Sequence, residues 1–196
     1  MIVEIGHYAL ILSLVMAVAQ STIPFLAASR RDAALLNVAP RLAIACFALV
    51  ATSFLALTYA YVSSDFSVVN VLANSHTSKP MIYKITGVWA NHEGSMLLWV
   101  LIVALFGAMA AWFGGNLPPT LRARVLSVQA AIGVAFFAFI LFTSNPFLRL
   151  AIASPFLTNV AMAAANAPPQ SPITIFVLLP LMLPELPRRL ATTNLI

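Results

Sequence analysis

Four apolar runs, each long enough to cross a lipid bilayer, are the feature that most constrains how this chain can fold. A helix needs about 20 predominantly apolar residues to span the hydrocarbon core. Inside a bilayer, a helix is also the simplest structure that satisfies every backbone polar group within one segment. The sequence therefore predicts an all-α integral membrane protein with about four transmembrane helices, over Ile5 to Ala28, Leu42 to Val62, Ser95 to Phe113 and Val125 to Phe142.

The composition agrees with a membrane environment. Of the 196 residues, 62% are hydrophobic and only 8% are charged, whereas soluble domains carry roughly 25% charged residues. The net charge of +5 would suggest nucleic acid as the partner of a soluble chain. Here the lysines and arginines fall mainly between or beyond the apolar runs, where basic residues set membrane topology. We therefore expect a lipid bilayer, and no nucleic acid, around this chain.

The charges of the connections predict the orientation of the spans. The connections after the first and third spans are rich in arginine, which is typical of cytoplasmic loops. In the remaining connection, residues 63–94, Asp65 and Glu93 balance Lys79 and Lys84. We expect this long external loop and the amino terminus to lie on the side opposite the cytoplasm.

The external loop is patterned enough to predict ordered structure at the membrane surface. Residues 65–76 alternate between polar and apolar side chains, which suits either a short strand or an interfacial segment. Pro80 is suited to the first turn of a helix. Tyr83 and Trp89 are suited to the aromatic belt at the membrane interface.

The segment Trp89–Ser95 concentrates the chemically capable side chains at the start of the third span. Titratable groups are costly at a membrane boundary, so their presence there favours a functional site. A continuous helix over residues 89–103 would place two indoles, an imidazole and a carboxylate on one face. Such a face could stack against a flat aromatic ligand or pack onto another helix. The predicted site residues are Trp89, His92, Glu93 and Trp99.

Other interpretations of these residues stay open. The indoles can be ordinary belt or packing residues, and Glu93 can complement the helix dipole. The scattered histidines and single cysteine lack the spacing of zinc ligands, so we predict no metal site. A second class of function is a structural or assembly subunit of a membrane complex, or an ion or proton pathway with His92 and Glu93 as relay groups. The spans carry almost no titratable groups between their ends, which favours a surface site.

A longer motif around this segment resembles a known family. The sequence YKITGVWANHEGSMLLW, residues 83–99, resembles the signature of the CcmF family of cytochrome c-type biogenesis proteins. The family usually has glycine where Ala90 stands. The resemblance covers about residues 1–150, and its flanking segments are Ile5–Tyr8, Ser64–Val68 and Thr143–Phe147.

The resemblance implies a component of a cytochrome c haem lyase in the bacterial inner membrane. Such proteins handle haem and deliver it for covalent attachment to apocytochrome c on the periplasmic side. The resemblance implies haem as the cofactor, and a CcmE-type haem chaperone and a CcmH-type thiol partner beside apocytochrome c. It also implies that the amino terminus and residues 63–94 are periplasmic. Trp89, His92, Glu93 and Trp99 would then form a haem-facing surface, with Lys79 and Lys84 as propionate partners.

The chain also departs from the family. Full members are several times longer, and their axial haem ligands lie in parts that have no counterpart here. The tail, residues 151–196, is rich in proline and contains neither histidine nor tryptophan. Its apolar run Ile173–Leu183 is interrupted by Pro180 and predicts only a weak fifth span. We therefore expect a CcmF-like transmembrane domain over residues 1–150 and a divergent tail, frameshifted or truncated, in a partial form that is not active alone.

Overall fold

Four long helices carry most of the chain in the computed structural model, which describes residues 1–30 and 33–150. All four are long and apolar enough to cross a membrane. The predicted all-α membrane class and the four spans are confirmed. The long helices are α1 (Ile2–Arg30), α3 (Val38–Val62), α6 (His92–Phe113) and α7 (Pro119–Phe142), and the short ones are α2 (Ala33–Leu36), α4 (Val69–Asn74) and α5 (Met81–Gly87).

The long helices begin earlier than the apolar runs from which we predicted them. For example, α7 begins at Pro119, which is in its first turn, whereas the apolar run begins at Val125. Proline is tolerated at the first helical position because the amide hydrogen there has no partner within the helix. Hydrophobicity therefore marked the membrane-embedded part of each helix, while local backbone chemistry set where the helix starts.

The long helices form an antiparallel ring. Helix α1 packs on α3 and α7, and α6 packs on the same two helices. Small residues allow close approach, as is common between membrane helices. At Gly6 of α1, an added Cβ would lie 2.6 Å from the Cβ of Ala56 and 2.7 Å from the ring of Phe147. The chain order α1, α3, α6, α7 is thus also the order around the ring.

The antiparallel arrangement separates the connections into two ends. The amino terminus, residues 63–75 and 79–91, and the segment after α7 lie at one end, which we call the motif end. Arg30, Arg41 and Arg122 lie at the other, next to a small apolar cluster that includes Ala28, Ala39 and Ala123. The helix directions therefore place the arginine-rich connections at one end of the bundle and the external connection at the other, which is the grouping that the sequence predicts.

The first part of the external connection is helical. Helix α4 occupies Val69–Asn74, so the alternative of a short strand was wrong. An isolated antiparallel bridge joins Val68 to Arg149, and the amide of Val69 donates to the carbonyl of Leu148 at 2.9 Å. Pro80 immediately precedes α5, close to the predicted position. Backbone pairing with the segment after α7 thus ends after one bridge, and the connection turns into a helix.

The chain divides into two compact units. One consists of residues 1–75 and 79–150 and contains the helix ring. The other contains residues 76–78 and the tail. The predicted weak fifth span, Ile173–Leu183, and the rest of the tail lie outside the described residues.

Candidate functional site

Asn91 sets the start of α6. Its extended backbone precedes the helix, and its side-chain oxygen accepts a hydrogen bond from the amide of Gly94 at 2.8 Å. Its side-chain nitrogen donates to the carbonyl of Gly87, the last residue of α5, at 2.9 Å. Asparagine at this position competes with helix continuation by satisfying free amides of the first turn. The continuous helix over residues 89–103 on which the single-face arrangement depended therefore does not form, and Trp89 lies in the turn between α5 and α6.

Gly94 allows this turn to fold back on the helix. A Cβ at Gly94 would lie 1.6 Å from the carbonyl oxygen of Val88, a distance that no side chain can occupy. The motif's glycine is therefore required by packing between the α5–α6 turn and the first turn of α6.

His92 and Glu93 contact different neighbours. The imidazole of His92 packs edge-on against Phe139 of α7, with ring centroids 6.3 Å apart. The carboxylate of Glu93 accepts a hydrogen bond from the side-chain nitrogen of Asn70 in α4 at 3.3 Å. Consecutive residues on a helix point about 100° apart. The single face that we predicted for the motif is therefore divided between α7 and α4.

A buried polar triangle, formed by Tyr61, Asn70 and Asn91, lies beneath the motif. The side-chain nitrogen of Asn91 donates to the Tyr61 hydroxyl at 2.9 Å, and that hydroxyl donates to the side-chain oxygen of Asn70. The side-chain nitrogen of Asn70 completes the triangle by donating to the oxygen of Asn91 at 3.0 Å. Tyr61 and Asn70 are almost fully buried. Satisfied buried networks are rigid, so the triangle fixes α3, α4 and the start of α6 together.

Sequence reasoning did not identify the triangle. Asn91 carried a usable signal, because asparagine directly before an apolar helix is a common N-cap. Tyr61 and Asn70 carried none, since their role depends on α4 folding back over the end of α3.

A shallow apolar groove runs between α6 and α7 beside His92. Met96 lines it from α6, and Ala135, Phe136 and Phe139 line it from α7, enclosing about 260 Å³. His92 reaches the groove through Phe139, which it contacts. The groove thus presents an apolar surface with one thioether, and one imidazole lies beside it at the motif end.

The two predicted indoles lie apart from this groove. Trp89 is 39% exposed in the turn, and Trp99 is 60% exposed, about 10 Å along α6 from His92. The ring contacts found among the described residues join His92 to Phe139 and to neither indole. The four predicted site residues are therefore near one another along the chain without forming one cluster.

The predicted propionate partners have structural roles. Lys79 donates to the carbonyl of Asn74 at 2.8 Å. Lys84 donates to the hydroxyl of Ser64 at 2.7 Å, where the backbone turns through a left-handed conformation (φ 55°) after α3. Both ammonium groups hold the external connection together, and neither lines the groove.

A second polar cluster lies at the motif end. The guanidinium of Arg149 pairs with the carboxylate of Glu4 and donates to the hydroxyl of Ser67 at 2.8 Å. The Ser67 hydroxyl in turn donates to Asp65 at 2.5 Å. Nearby, the ring of His7 packs edge-on against Phe147. The three segments that flank the family motif, Ile5–Tyr8, Ser64–Val68 and Thr143–Phe147, therefore meet at this end of the bundle.

The described residues do not by themselves compose a complete haem site. The groove is smaller than the roughly 300–1,000 Å³ of pockets that enclose small molecules and cofactors. Its walls come from two helices only, and the two lysines near the motif are committed to the loop. The groove beside His92 fits one wall of such a site.

Comparison with known proteins gives a consistent family, although no protein-family model matches the chain. The chain is 63% identical over 150 residues to the cytochrome c-type biogenesis protein Ccl1 of Rhodobacter capsulatus, a match that covers 76% of the chain and 23% of the relative. It is 56% identical over 170 residues to CycK of Rhizobium meliloti, covering 83% and 25%. It is 40% identical over 149 residues to CcmF of Escherichia coli, covering 76% and 23%. The chain thus spans about a quarter of the length of the curated relatives that it matches.

A solved structure of the cytochrome c haem lyase CcmF matches with a TM-score of 0.71 at 30% identity, covering 75% of this chain and 25% of that one. The sequence belongs to the CcmF family. It corresponds to an amino-terminal portion of a family member, and the family predicted from the motif is confirmed. The Tyr61–Asn70–Asn91 triangle and the α6–α7 groove are thus features of a CcmF-family bundle.

Proposed function

We propose that this CcmF-family chain contributes to cytochrome c biogenesis by forming one wall of a haem-handling surface at the outer face of the membrane. The observation that carries the proposal is the position of His92. Its imidazole lies beside an apolar groove, at the end of the bundle where the segments flanking the family motif meet. An imidazole next to apolar and aromatic side chains suits a flat, iron-bearing macrocycle.

The two predicted indoles extend this surface. Trp89 and Trp99 are exposed on either side of His92 along the chain, where an aromatic face is available to a ligand or a partner. Glu93 plays a different part, because Asn70 and the adjoining polar triangle hold its carboxylate in place. Glu93 helps to fix the backbone of the motif, while the side chains of Trp89, His92 and Trp99 are available to a ligand or a partner.

The proposed setting is the bacterial inner membrane, with the motif end facing the periplasm. The distribution of arginines supports this orientation, since Arg30, Arg41 and Arg122 lie at the opposite end, while Arg149 at the motif end is paired with Glu4. The proposed partners are a CcmE-type haem chaperone, a CcmH-type thiol protein and apocytochrome c. Covalent attachment of haem to apocytochrome c requires the remainder of the family sequence, so we expect no activity from this chain alone.

A chimaera tests the proposal. Residues 1–150 of this chain replace the matching segment of the Rhodobacter capsulatus relative, in a strain of that bacterium that lacks its own copy. We expect haem-stained c-type cytochromes to be restored. Normal amounts of a membrane-inserted chimaera without covalent cytochrome c would contradict the proposal.

Substitutions in the same chimaera test the site. We expect His92→Ala to reduce covalent cytochrome c while leaving the amount of chimaera unchanged. Ser95→Ala is the matched control, since Ser95 lies one turn further along and its hydroxyl donates to the backbone carbonyl of His92, a bond that does not involve the imidazole. Trp89→Leu should lower the yield more than Trp112→Leu, because Trp112 is exposed near the far end of α6, away from the motif end.

The same variants distinguish the second class of function. If the chain is only an assembly or structural subunit, His92→Ala should behave as Ser95→Ala does. A photo-crosslinking residue at position 89 gives an independent measurement. Crosslinks to the haem chaperone support a haem-handling surface, and crosslinks confined to lipid contradict it.

We also propose that the family domain covers residues 1–150 and that the tail is divergent. The match to the Rhodobacter capsulatus relative extends over 150 residues, which supports this boundary, whereas the match to CycK of Rhizobium meliloti covers 83% of the chain and extends further. Sequencing the locus tests whether the tail arises from a shifted reading frame. An uninterrupted frame with similar tails in related genomes would contradict a frameshift.

A further inference from the structure

A small cavity lies between the four long helices, within their membrane-spanning part. Its volume is about 20 Å³. Most of its lining is apolar, but two carboxamides take part. The residues used below are Gln20 of α1, Cys46 of α3, Ala104 and Gly107 of α6, and Gln129 of α7.

Both carboxamides are oriented by helix backbones. The side-chain nitrogen of Gln20 donates to the carbonyl of Leu126 at 3.2 Å. The side-chain nitrogen of Gln129 donates to the carbonyl of Val103 at 2.5 Å. Because a nitrogen must face each carbonyl, these bonds also define where the two amide oxygens lie.

The two amide oxygens accept no hydrogen bond from the described residues. Gln20 is only 3% exposed. The oxygen of Gln129 lies against Gly107, where an added Cβ would be 2.2 Å away, and Gly107 is part of the cavity wall. An acceptor without a donor is unfavourable within the hydrocarbon part of a bilayer, where no bulk water can reach it.

The volume and the two acceptors fit one ligand. A water molecule needs about 10–15 Å³ of this kind of volume and two to four polar partners. The cavity is large enough for one water, and it is too small for two waters or for an organic molecule. We propose that the cavity binds a single water molecule that donates its two hydrogens to the amide oxygens of Gln20 and Gln129.

This water site would reinforce a hydrogen-bonded connection through the bundle. The thiol of Cys46 in α3 donates to the carbonyl of Ser13 in α1, 3.8 Å away. Gln20 links α1 to α7, and Gln129 links α7 to α6. The water adds a second link between α1 and α7, so the site helps to hold all four helices in their ring order. The inference is independent of the proposed function.

Nuclear magnetic resonance of the full chain tests the site. The chain contains three glutamines, Gln20, Gln129 and Gln170, so labelling with ¹⁵N-glutamine gives three pairs of side-chain amide signals. The labelled chain is placed in nanodiscs of deuterated lipid. Gln20→Leu and Gln129→Leu assign the signals by loss of one pair each. We expect Overhauser cross-peaks of slowly exchanging water at both the Gln20 and Gln129 side-chain amides.

A cavity-filling variant is the second measurement. Ala104→Val adds two methyl groups to the cavity wall and retains both glutamines, and it should abolish the water cross-peaks. Ala108→Val on the same helix is the matched control, since Ala108 does not line the cavity. If Ala104→Val does not fold, the water cross-peaks of the unaltered chain still test the proposal. Amides without water cross-peaks, or with contacts to lipid acyl chains measured in protonated lipid, would overturn the proposal, as would water peaks that persist in a folded Ala104→Val chain.

Discussion

At the scale of single residues, Asn91 connects more of the motif than any of the residues with more reactive side chains. It caps α6, bonds the end of α5 and closes the triangle with Tyr61 and Asn70. His92 and Glu93 take their positions from that cap. The positions of the two titratable side chains of the motif, His92 and Glu93, therefore depend on the uncharged neighbour Asn91.

Replacing Asn91 should be costly for stability. Asn91→Ala removes an N-cap, worth about 1 kcal/mol, and leaves buried partners unsatisfied, at about 1–3 kcal/mol. We expect a loss of about 2–4 kcal/mol, measured by unfolding in detergent. Asn116→Ala is the control, since Asn116 is exposed and its side chain makes no hydrogen bond with the described residues. Equal effects at the two positions would refute the role of the cap.

Gly94 should tolerate no side chain. Gly94→Ala places a Cβ 1.6 Å from the carbonyl of Val88, which forces the α5–α6 turn to move. We expect destabilisation of at least about 2 kcal/mol, the range of severe overpacking. The matched variant Gly115→Ala, where nothing lies within 4 Å, should change stability by less than about 1 kcal/mol. A stable, native-like Gly94→Ala chain would show that the turn adopts a different path.

At the scale of elements, the motif end is held by contacts of unequal strength. The triangle joins α3, α4 and α6 through buried side chains, whereas the ion pair between Glu4 and Arg149 is about half exposed. Exposed ion pairs contribute little because water and salt screen them. The segment after α7 is therefore held chiefly by the packing of Phe147 against Gly6 and by backbone hydrogen bonds.

Removing the ion pair should have a small effect. We expect Glu4→Gln to lower stability only slightly, because water and salt screen exposed ion pairs, and high salt to abolish the difference. Arg124→Ala is the comparison, since Arg124 is exposed and makes no ion pair with the described residues. Thermal unfolding at low and high ionic strength measures both. A large loss of stability in Glu4→Gln that salt does not change would mean that the carboxylate is buried in the membrane-embedded protein.

At the scale of the whole molecule, the ring places the motif at one end and Arg30, Arg41 and Arg122 at the other. Site-directed labelling tests the orientation of those ends. In a Cys46→Ser background, Ala90→Cys should react with a membrane-impermeant maleimide in intact spheroplasts. Asn116→Cys should react only after the membrane is permeabilised. The reverse pattern would place the motif in the cytoplasm and contradict the proposed site of haem handling.

The sequence by itself determined the class and the family of this protein. Apolar runs of about 20 residues leave a chain in a bilayer few structures besides helices, so the four spans follow from hydrophobicity alone. The motif around His92 and Glu93 was enough to predict the family. Both inferences depend on local composition and order, which folding does not change.

Only the tertiary structure decided how the motif is assembled. Helical periodicity predicted one face for Trp89, His92, Glu93 and Trp99, but the cap at Asn91 moved Trp89 into a turn. The neighbouring helices then separated His92, which packs on α7, from Glu93, which bonds α4. The roles of Asn70, Gln20 and Gln129 were also invisible in the sequence. Each of these amides acts on a partner far away in the chain, and such pairs are set by helix packing.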